Sequence, residues 1–449
     1  MNREGTFSED ARQLVHIAMG AFALTLPYLA WWQAVTLACA AVAFNLFALQ
    51  KLLGRRLFRP GERIGRLATG IVLYPLSILA LLFLFRHRLD IVAAAWGVLA
   101  VGDGMATIVG RRFPIAVIPW NRAKSLGGSL AFAVFGGAAA VVLSWWCREL
   151  VVPPAYPWFF AVAPVLAAIA AAAVETIPVS LDDNVSVSIT AASVMWVISL
   201  ISSDLVAAAV RSLGPTLVIA LVANAAVAAA GYFGRTVTTS GMIVGAVLGT
   251  VIFVSTGAAG WTLLLLCFAS AVVTSRVGLA RKRALGIAEE RGGRRGAGNA
   301  FANTGAAAIA ALLSLLSYAH DQAAIAFVAA LVAGASDTVA SEIGKVLGRR
   351  PFLVTTFRMV PPGTPGAMSV EGTLAGVASA GALAFAAVWL GLMSAPFILP
   401  VVLAATTGAL VESALGATLE PRGVLNNDVL NFINTTAAAF VAVELSRLL

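Results

Sequence analysis

The stretch Leu89-Asp-Ile-Val-Ala-Ala-Ala-Trp-Gly-Val-Leu-Ala-Val-Gly-Asp-Gly-Met-Ala-Thr-Ile-Val-Gly-Arg-Arg112 is apolar from Ile91 to Gly102, is interrupted by Asp103 between two glycines, and closes on two arginines. A run of about 17–25 apolar residues is what crosses roughly 30 Å of hydrocarbon. Residues 89–110 therefore read as a transmembrane helix carrying an ionisable group. Such a group costs about 2.5–3.5 kcal/mol on insertion scales, so it needs a partner or a function. Outward from this helix, similar runs lie near 12–28, 31–50, 67–85, 125–147, 157–174, 185–203, 212–233, 241–257, 259–275, 300–318, 322–344, 368–393, 396–416 and 429–447, about fifteen spans in all. The mixed-charge segment before the first run is followed by too long an apolar stretch for a cleaved signal and reads as the lead into span one.

Composition supports that reading. The 449 residues are 60% hydrophobic and 11% charged, against roughly 45–50% and about 25% in soluble domains, which excludes a water-soluble fold. The 41 glycines are small residues of the kind that let membrane helices approach closely. Three scattered cysteines, Cys39, Cys147 and Cys267, suggest neither a disulfide framework nor a zinc site. The net charge of +9 is spread over short loops rather than one stripe, so no nucleic-acid partner is expected. Sorting the loops by side, with the N-terminus in the cytoplasm, puts 25 of the 30 Lys and Arg residues inside. The positive-inside bias then predicts an integral protein of the cell inner membrane, with its polar loops in the cytoplasm.

The chain also reads as written twice. Val101-Gly-Asp-Gly-Met-Ala-Thr-Ile-Val-Gly-Arg-Arg112 is echoed by Ala335-Ser-Asp-Thr-Val-Ala-Ser-Glu-Ile-Gly344 with Gly348-Arg-Arg350, which places Asp103 over Asp337. Ser125-Leu-Gly-Gly-Ser129 is echoed by Ser369-Val-Glu-Gly-Thr373, and Glu175 by Glu412. A seven-span unit ends opposite to where it starts, so a parallel copy needs one extra crossing. The expected fold is all-α: two parallel seven-helix repeats, residues 1–205 and 240–449, joined by a linker span in 206–239.

Three constellations carry chemistry. Asp103, and in the second copy Asp337 with Ser341 and Glu342, lie about two turns below the cytoplasmic loops, as recurring carboxylates or as packing partners of a neighbouring Arg. Lys124-Ser125-Leu-Gly-Gly-Ser129 places a cation and backbone donors at a helix mouth, suited to phosphate or to an ordinary positive flank. In the second copy Ser369 and Thr373 keep the hydroxyls, and Arg358 is the nearest cation. Glu175 with Asp182, Asp183 and Asn184, and Glu412 with Asn427 and Asp428, offer hard oxygen ligands that suit magnesium. The Asp and Asn residues are equally good N-caps. Arg12 with His16, the loop cations Arg59 and Arg63, Arg111 and Arg112, and Arg294, Arg295 and Asn303 could clamp phosphates or mark topology and lipid contact. No Walker P-loop is present, so a nucleotide would be held by helix ends.

With these residues in hand, 8–205 resembles the phytol kinase and dolichol kinase family of polytopic enzymes. The matching residues are Arg12 to His16 with Gly20, Pro60-Gly-Glu62, Gly102-Asp-Gly-Met-Ala106 with Gly110-Arg-Arg112, Lys124-Ser125 with Gly128-Ser129, and Glu175 with Asp182-Asp-Asn184. The chain departs at Gly127, where the family usually has Glu, and at Gln13, where it usually has Lys. Residues 215–449 resemble the phytyl-phosphate kinase-like family through Arg294-Arg295 with Ala302-Asn303, Asp337 to Gly344, Pro361 to Gly366 with Val370-Glu-Gly-Thr373, and Glu412 to Ala417 with Asn426, Asp428 and Asn431. That family commonly has Asp at 412 and Gln at 420.

The resemblance implies a fusion whose first half uses CTP and Mg2+ to phosphorylate a long-chain prenol and whose second half converts the monophosphate to the diphosphate. The expected partners are the prenol, its monophosphate, a nucleoside triphosphate and the bilayer. Asp103, Lys124, Asp337 and Glu342 are the catalytic candidates; Asp103, Glu175, Asp182, Asp183, Asn184, Asp337, Glu412, Asn427 and Asp428 the metal candidates. Arg12, Arg59, Arg63, Arg111, Arg112, Ser125, Ser129, Arg294, Arg295, Asn303, Arg358, Ser369 and Thr373 are the phosphate candidates. Two other classes stay open: cytidylyl transfer to a lipid phosphate, and transport of an isoprenoid phosphate or other lipid.

Overall fold

A computed structural model describes residues 9–49, 70–287 and 293–449. Arg59, Arg63 and the Pro60-Gly-Glu62 loop lie outside the described residues. The chain divides into two compact units, Met1–Leu200 and Ile201–Leu449, so the span expected as a linker falls within the second.

The first unit runs α1 (Glu9–Met19), a 3-10 turn (Gly20–Tyr28), α2 (Trp31–Phe47), α3 (Gly70–Leu84), α4 (Leu89–Arg112), the hairpin β1 (Val117–Ile118) and β2 (Asn121–Ser125), α5 (Leu126–Trp146), α6 (Pro157–Glu175) and α7 (Asp183–Ser199). Its axis is α4, whose apolar window is 67% buried. Ala93, Ala94, Val98 and Leu99 of α4 are fully enclosed in one core with Ala140, Ala168 and Ala191 of α5, α6 and α7. Alanine at these contacts lets helix backbones come together where lipid gives no hydrophobic drive.

The second unit runs α8 (Ser203–Phe233), α9 (Thr239–Arg276), the short α10 (Leu279–Ala284), α11 (Ala297–Leu316), α12 (His320–Leu347), β3 (Phe352–Leu353), β4 (Ala367–Met368), α13 (Val370–Trp389), α14 (Ala395–Thr418) and α15 (Asn427–Ser446). Here α12 is central, 78% buried over its apolar window, and packs on α11, α13, α14 and α15. By contrast α8 is only 6% buried and presents an apolar flank that includes Val218 and Val222.

Among the described residues ten helices are long and apolar enough to cross a membrane, against the fifteen spans expected. The run at 12–28 folds as α1 and, from Gly20 onward, a 3-10 segment that contains Pro27. The helices α2 and α7 have 17 residues each. At 1.5 Å per residue they reach about 26 Å, short of a roughly 30 Å core. The runs at 241–257 and 259–275 form the single element α9, bent at Gly257, where φ is 67°. Hydropathy marks apolar sequence, whereas helix length and breaks depend on backbone geometry.

Candidate active sites

In the first unit the α4 backbone widens into a π turn over Val98–Asp103, ending on the carboxylate. A π turn shifts the bonding pattern from i→i+4 to i→i+5, a feature frequent at functional sites. His16 of α1 uses the local opening: its Nε2 lies 3.1 Å from the Leu99 carbonyl and 3.5 Å from Asp103 Oδ2. Both partners are acceptors, so the network assigns the proton to Nε2. Tyr74 of α3 packs edge-on against the His16 ring, with centroids 4.6 Å apart, and accepts a 2.8 Å bond from Trp96 Nε1. Neither aromatic was singled out in the sequence; a Tyr inside an apolar run was the only available signal.

Asp103, Glu175 at the end of α6 and Asp183 at the start of α7 each bring one carboxylate oxygen within 4.8 Å of the other two. Lys124, on β2, donates to Glu175 Oε1 at 2.6 Å and to Asp183 Oδ2 at 2.9 Å. Burial alone disfavours its ammonium, but the two carboxylates outweigh that and raise its pKa above the ordinary lysine value. The hairpin is fixed by Ser125, whose Oγ caps α5 by accepting the Gly128 amide at 3.2 Å. Gly128 lies so close to Gly110 and to the Ala106 carbonyl of α4 that a Cβ at either glycine would be crowded to about 3.1 Å. That crossing holds Lys124 near Glu175.

The neighbouring candidates have other partners. Asp182 caps α7, accepting from the Asn184 amide at 3.0 Å, and Asn184 donates to Asp182 and to the Gly70 carbonyl. Arg12 bonds Glu9 at 3.3 Å, and Arg111 and Arg112 bond Asp10 on the exposed rim. Ser129 sits half-buried one turn into α5. At Gly127 a Cβ would strike the Phe113 carbonyl, so this hairpin admits no side chain where the resembling family usually carries Glu.

In the second unit a cavity of about 420 Å³ is lined by Asp337 and Lys345 of α12, Glu412 of α14, Asn431 of α15, Arg295 and Ser369. Asn303, Thr373 and Asn427 also face it, as do Asn299, Thr338 and Glu420. Glu412 is oriented by Asn434, whose Nδ2 donates at 2.9 Å. Ser369 caps α13 by accepting the Gly372 amide at 3.1 Å, and Gly372 lies against Gly344 and the Ala340 carbonyl of α12. The Oδ1 atoms of Asn299 and Asn303 are buried and have no hydrogen-bond partner among the described residues. Asn299 was not read as a candidate; it stands one turn before Asn303 on the same face of α11, and that spacing was visible in the sequence.

Four expected members lie elsewhere. Glu342 is 1% exposed and does not line the cavity; it binds Lys282 Nζ at 2.5 Å and Lys345 Nζ at 2.6 Å. Helical spacing turns position 342 away from 337 and towards α10, where Lys282 also donates to the Thr274 and Ser275 carbonyls at the end of α9. Asp428 abuts Gly298 instead of facing the cavity. Arg294 and Arg358 are likewise not among the lining residues, Arg358 lying in the β3–β4 loop.

The profile described as Integral membrane protein DUF92 matches residues 219–439. An uncharacterized membrane protein of Synechocystis is 41% identical over 200 residues, covering 44% of this chain and 78% of that protein. The chain belongs to the DUF92 family of integral membrane proteins. It is also similar to protein VTE6 of Arabidopsis thaliana, a chloroplastic protein, at 37% identity over 46% of this chain and 65% of VTE6. A chloroplastic farnesol kinase of Arabidopsis thaliana is 31% identical over 43% of this chain and 66% of the kinase. The matches thus span less than two thirds of either plant protein. No solved structure matches this DUF92 chain.

Proposed function

We propose that this protein is a two-site isoprenoid kinase of the inner membrane: the first unit phosphorylates a long-chain prenol with CTP, and the second phosphorylates the monophosphate to the diphosphate. Similarity to a farnesol kinase and the resemblance of residues 8–205 to phytol kinases support the first step. The resemblance of 215–449 supports the second. The observation that carries the reading is a carboxylate set in the company of a lysine in each unit: Asp103, Glu175 and Asp183 with Lys124, and Asp337 and Glu412 with Lys345 on one cavity wall. The matching order of helix, hairpin and serine-capped helix around each set supports two parallel copies, with active sites on the cytoplasmic rim.

In the first reaction the prenol oxygen attacks the γ-phosphorus of CTP, the bond to the β–γ bridging oxygen breaks, and CDP leaves. The hydroxyl proton passes to a base, Asp103 or His16, whose Oδ2 and Nε2 atoms lie 3.5 Å apart. Phosphoryl transfer needs chiefly positioning and charge neutralisation. Lys124, held by Glu175 and Asp183, is the cation suited to the transferring phosphoryl oxygens. In the second reaction the monophosphate oxygen is already ionised, so Asp337 has no proton to remove and serves with Glu412 as a ligand.

Both sets fit Mg2+ by donor type, since they consist of hard oxygens, including the unpartnered Asn299 and Asn303 Oδ1 atoms. The carboxylates of the first unit lie within 4.8 Å of one another, and an octahedral Mg2+ with bonds of about 2.0–2.1 Å would draw them closer. The bound ion would supply neutralisation of triphosphate charge.

Incubating the purified chain with a prenol and CTP labelled in the γ-phosphate tests the reading. Label on the lipid, first in monophosphate and then in diphosphate, is expected. Label in pyrophosphate would establish cytidylyl transfer instead, and lipid flux in proteoliposomes without nucleotide turnover would establish transport.

A further inference from the structure

A second cavity of about 120 Å³ lies between α8, α9 and α11, walled by apolar side chains including Val227, Leu248, Leu265 and Phe268. It meets the polar cavity at a shared wall: Arg295, Asn299 and Asn303 line both. An apolar chamber that opens beside an arginine and carboxylates has the outline of an amphiphile with a charged head and a hydrocarbon tail. We propose that this chamber binds the first isoprene units of the prenyl phosphate whose head occupies the Asp337 cavity. This assignment rests on the second step of the proposed function.

The occupant follows from continuity and size. A lipid whose phosphate sits near Asp337 must send its chain somewhere. About half of the residues lining the Asp337 cavity are polar or charged, Arg295, Asp337, Lys345 and Glu412 among them, so a hydrocarbon chain there would lie against groups that need hydrogen bonds. Through Arg295, Asn299 and Asn303 lies an apolar exit. At about 120 Å³ the chamber is smaller than the roughly 300–1,000 Å³ of pockets that enclose whole drug-sized ligands. It therefore takes the head-proximal part of the chain. The remainder would run out along α8 and α9, which are only 6% and 11% buried and present Val222, Ile243 and Val247 to lipid. This exit lets chains of different length share one phosphate position.

Gly245 gives a clean way to close the chamber. It lines the wall, and a Cβ built there meets nothing within 4 Å, so a larger side chain has room on a helix that also gains propensity. The test uses the full chain in nanodiscs and a prenyl phosphonate carrying a diazirine on its second isoprene unit. Photolabelling mapped by mass spectrometry is expected on α9 and α11 residues of the chamber. Unlabelled prenyl phosphonate should compete with it; the prenol without its phosphonate should compete poorly. Gly245→Phe should cut this labelling at least ten-fold and raise the KM for farnesyl monophosphate about as much. The KM for nucleotide should stay unchanged, with Gly245→Ala close to the parent. Labelling confined to other helices, or left unaffected by Gly245→Phe, overturns the assignment. Specific labelling of the chamber in a protein that phosphorylates no prenyl monophosphate would keep the tail site and overturn the kinase reading.

Discussion

Lys124 Nζ lies 2.6 Å from Glu175 Oε1, a contact between a hairpin strand and the end of a helix 51 residues further along the chain. With Asp183 on its other side, the ammonium stands among three carboxylates that would otherwise repel one another. The same cation is thus the partner that lets Glu175, Asp103 and Asp183 share a small volume and, in the proposed first step, the group that meets the incoming phosphate.

Replacing that cation tests the double role. Lys124→Met should lower prenol phosphorylation on the order of 10²–10³-fold, the size seen when a donor to developing charge is removed. Phosphorylation of added prenyl monophosphate should persist. Retention of prenol kinase activity within a few-fold of the parent would remove Lys124 from the phosphate site.

The two units are expected to act independently. Asp103→Asn should stop conversion of alcohol to monophosphate and spare the second step, and Asp337→Asn should do the reverse, read by mass spectrometry of the lipid products. If either variant loses both activities while remaining folded, the assignment of one reaction to each unit fails.

Chelation should reach both reactions, because each carboxylate set suits a hard cation. EDTA is expected to abolish both steps and added Mg2+ to restore them. Glu412→Gln should raise the Mg2+ concentration needed for half-maximal activity in the second step alone. Turnover that survives exhaustive chelation would contradict the metal reading.

Glu342 is expected to matter for stability rather than chemistry. Glu342→Gln leaves Lys282, 1% exposed, and Lys345 without their carboxylate. Removing one partner of a buried ion pair costs about 3–5 kcal/mol. Thermal unfolding in detergent should show a clearly lowered midpoint, and a Lys282→Met/Glu342→Leu double variant should recover part of it. A folded Glu342→Gln protein of parental stability that lacks activity would return this residue to the catalytic set.

Glu420 lies beyond the end of α14 on the cavity rim, and partial burial raises its carboxyl above the usual range. A raised folded-state pKa contributes stability while the group is protonated, and that contribution is lost as pH rises through the folded value. Glu420→Gln should therefore match the parent in acid and exceed it in stability above neutral pH. The gain should stay under about 1 kcal/mol because the group is only partly buried and solvent screens its charge. Parallel stability curves from pH 5 to pH 9 would show that the rim does not burden this carboxylate.

What the sequence determined by itself was the solvent of the fold and the few charged residues that stand out within it. An apolar content of 60% demands a bilayer, and a few charges inside apolar runs, Asp103, Asp337 and Glu412, stand out because each is costly there. The spacing of Ser125 to Gly128 and of Ser369 to Gly372 was legible for the same local reason, since a serine cap bonds an amide three residues on. Tertiary structure decided the rest. Hydropathy gives apolar length but not helix length, so it could not show the stop near Met19 or the break at Gly257. Neither could it tell Asp183 from Asp182, or Asp337 from Glu342, because adjacent carboxylates are chemically alike. Which of them faces a cavity depends on helix rotation, and that rotation is set by packing against residues far away in the chain.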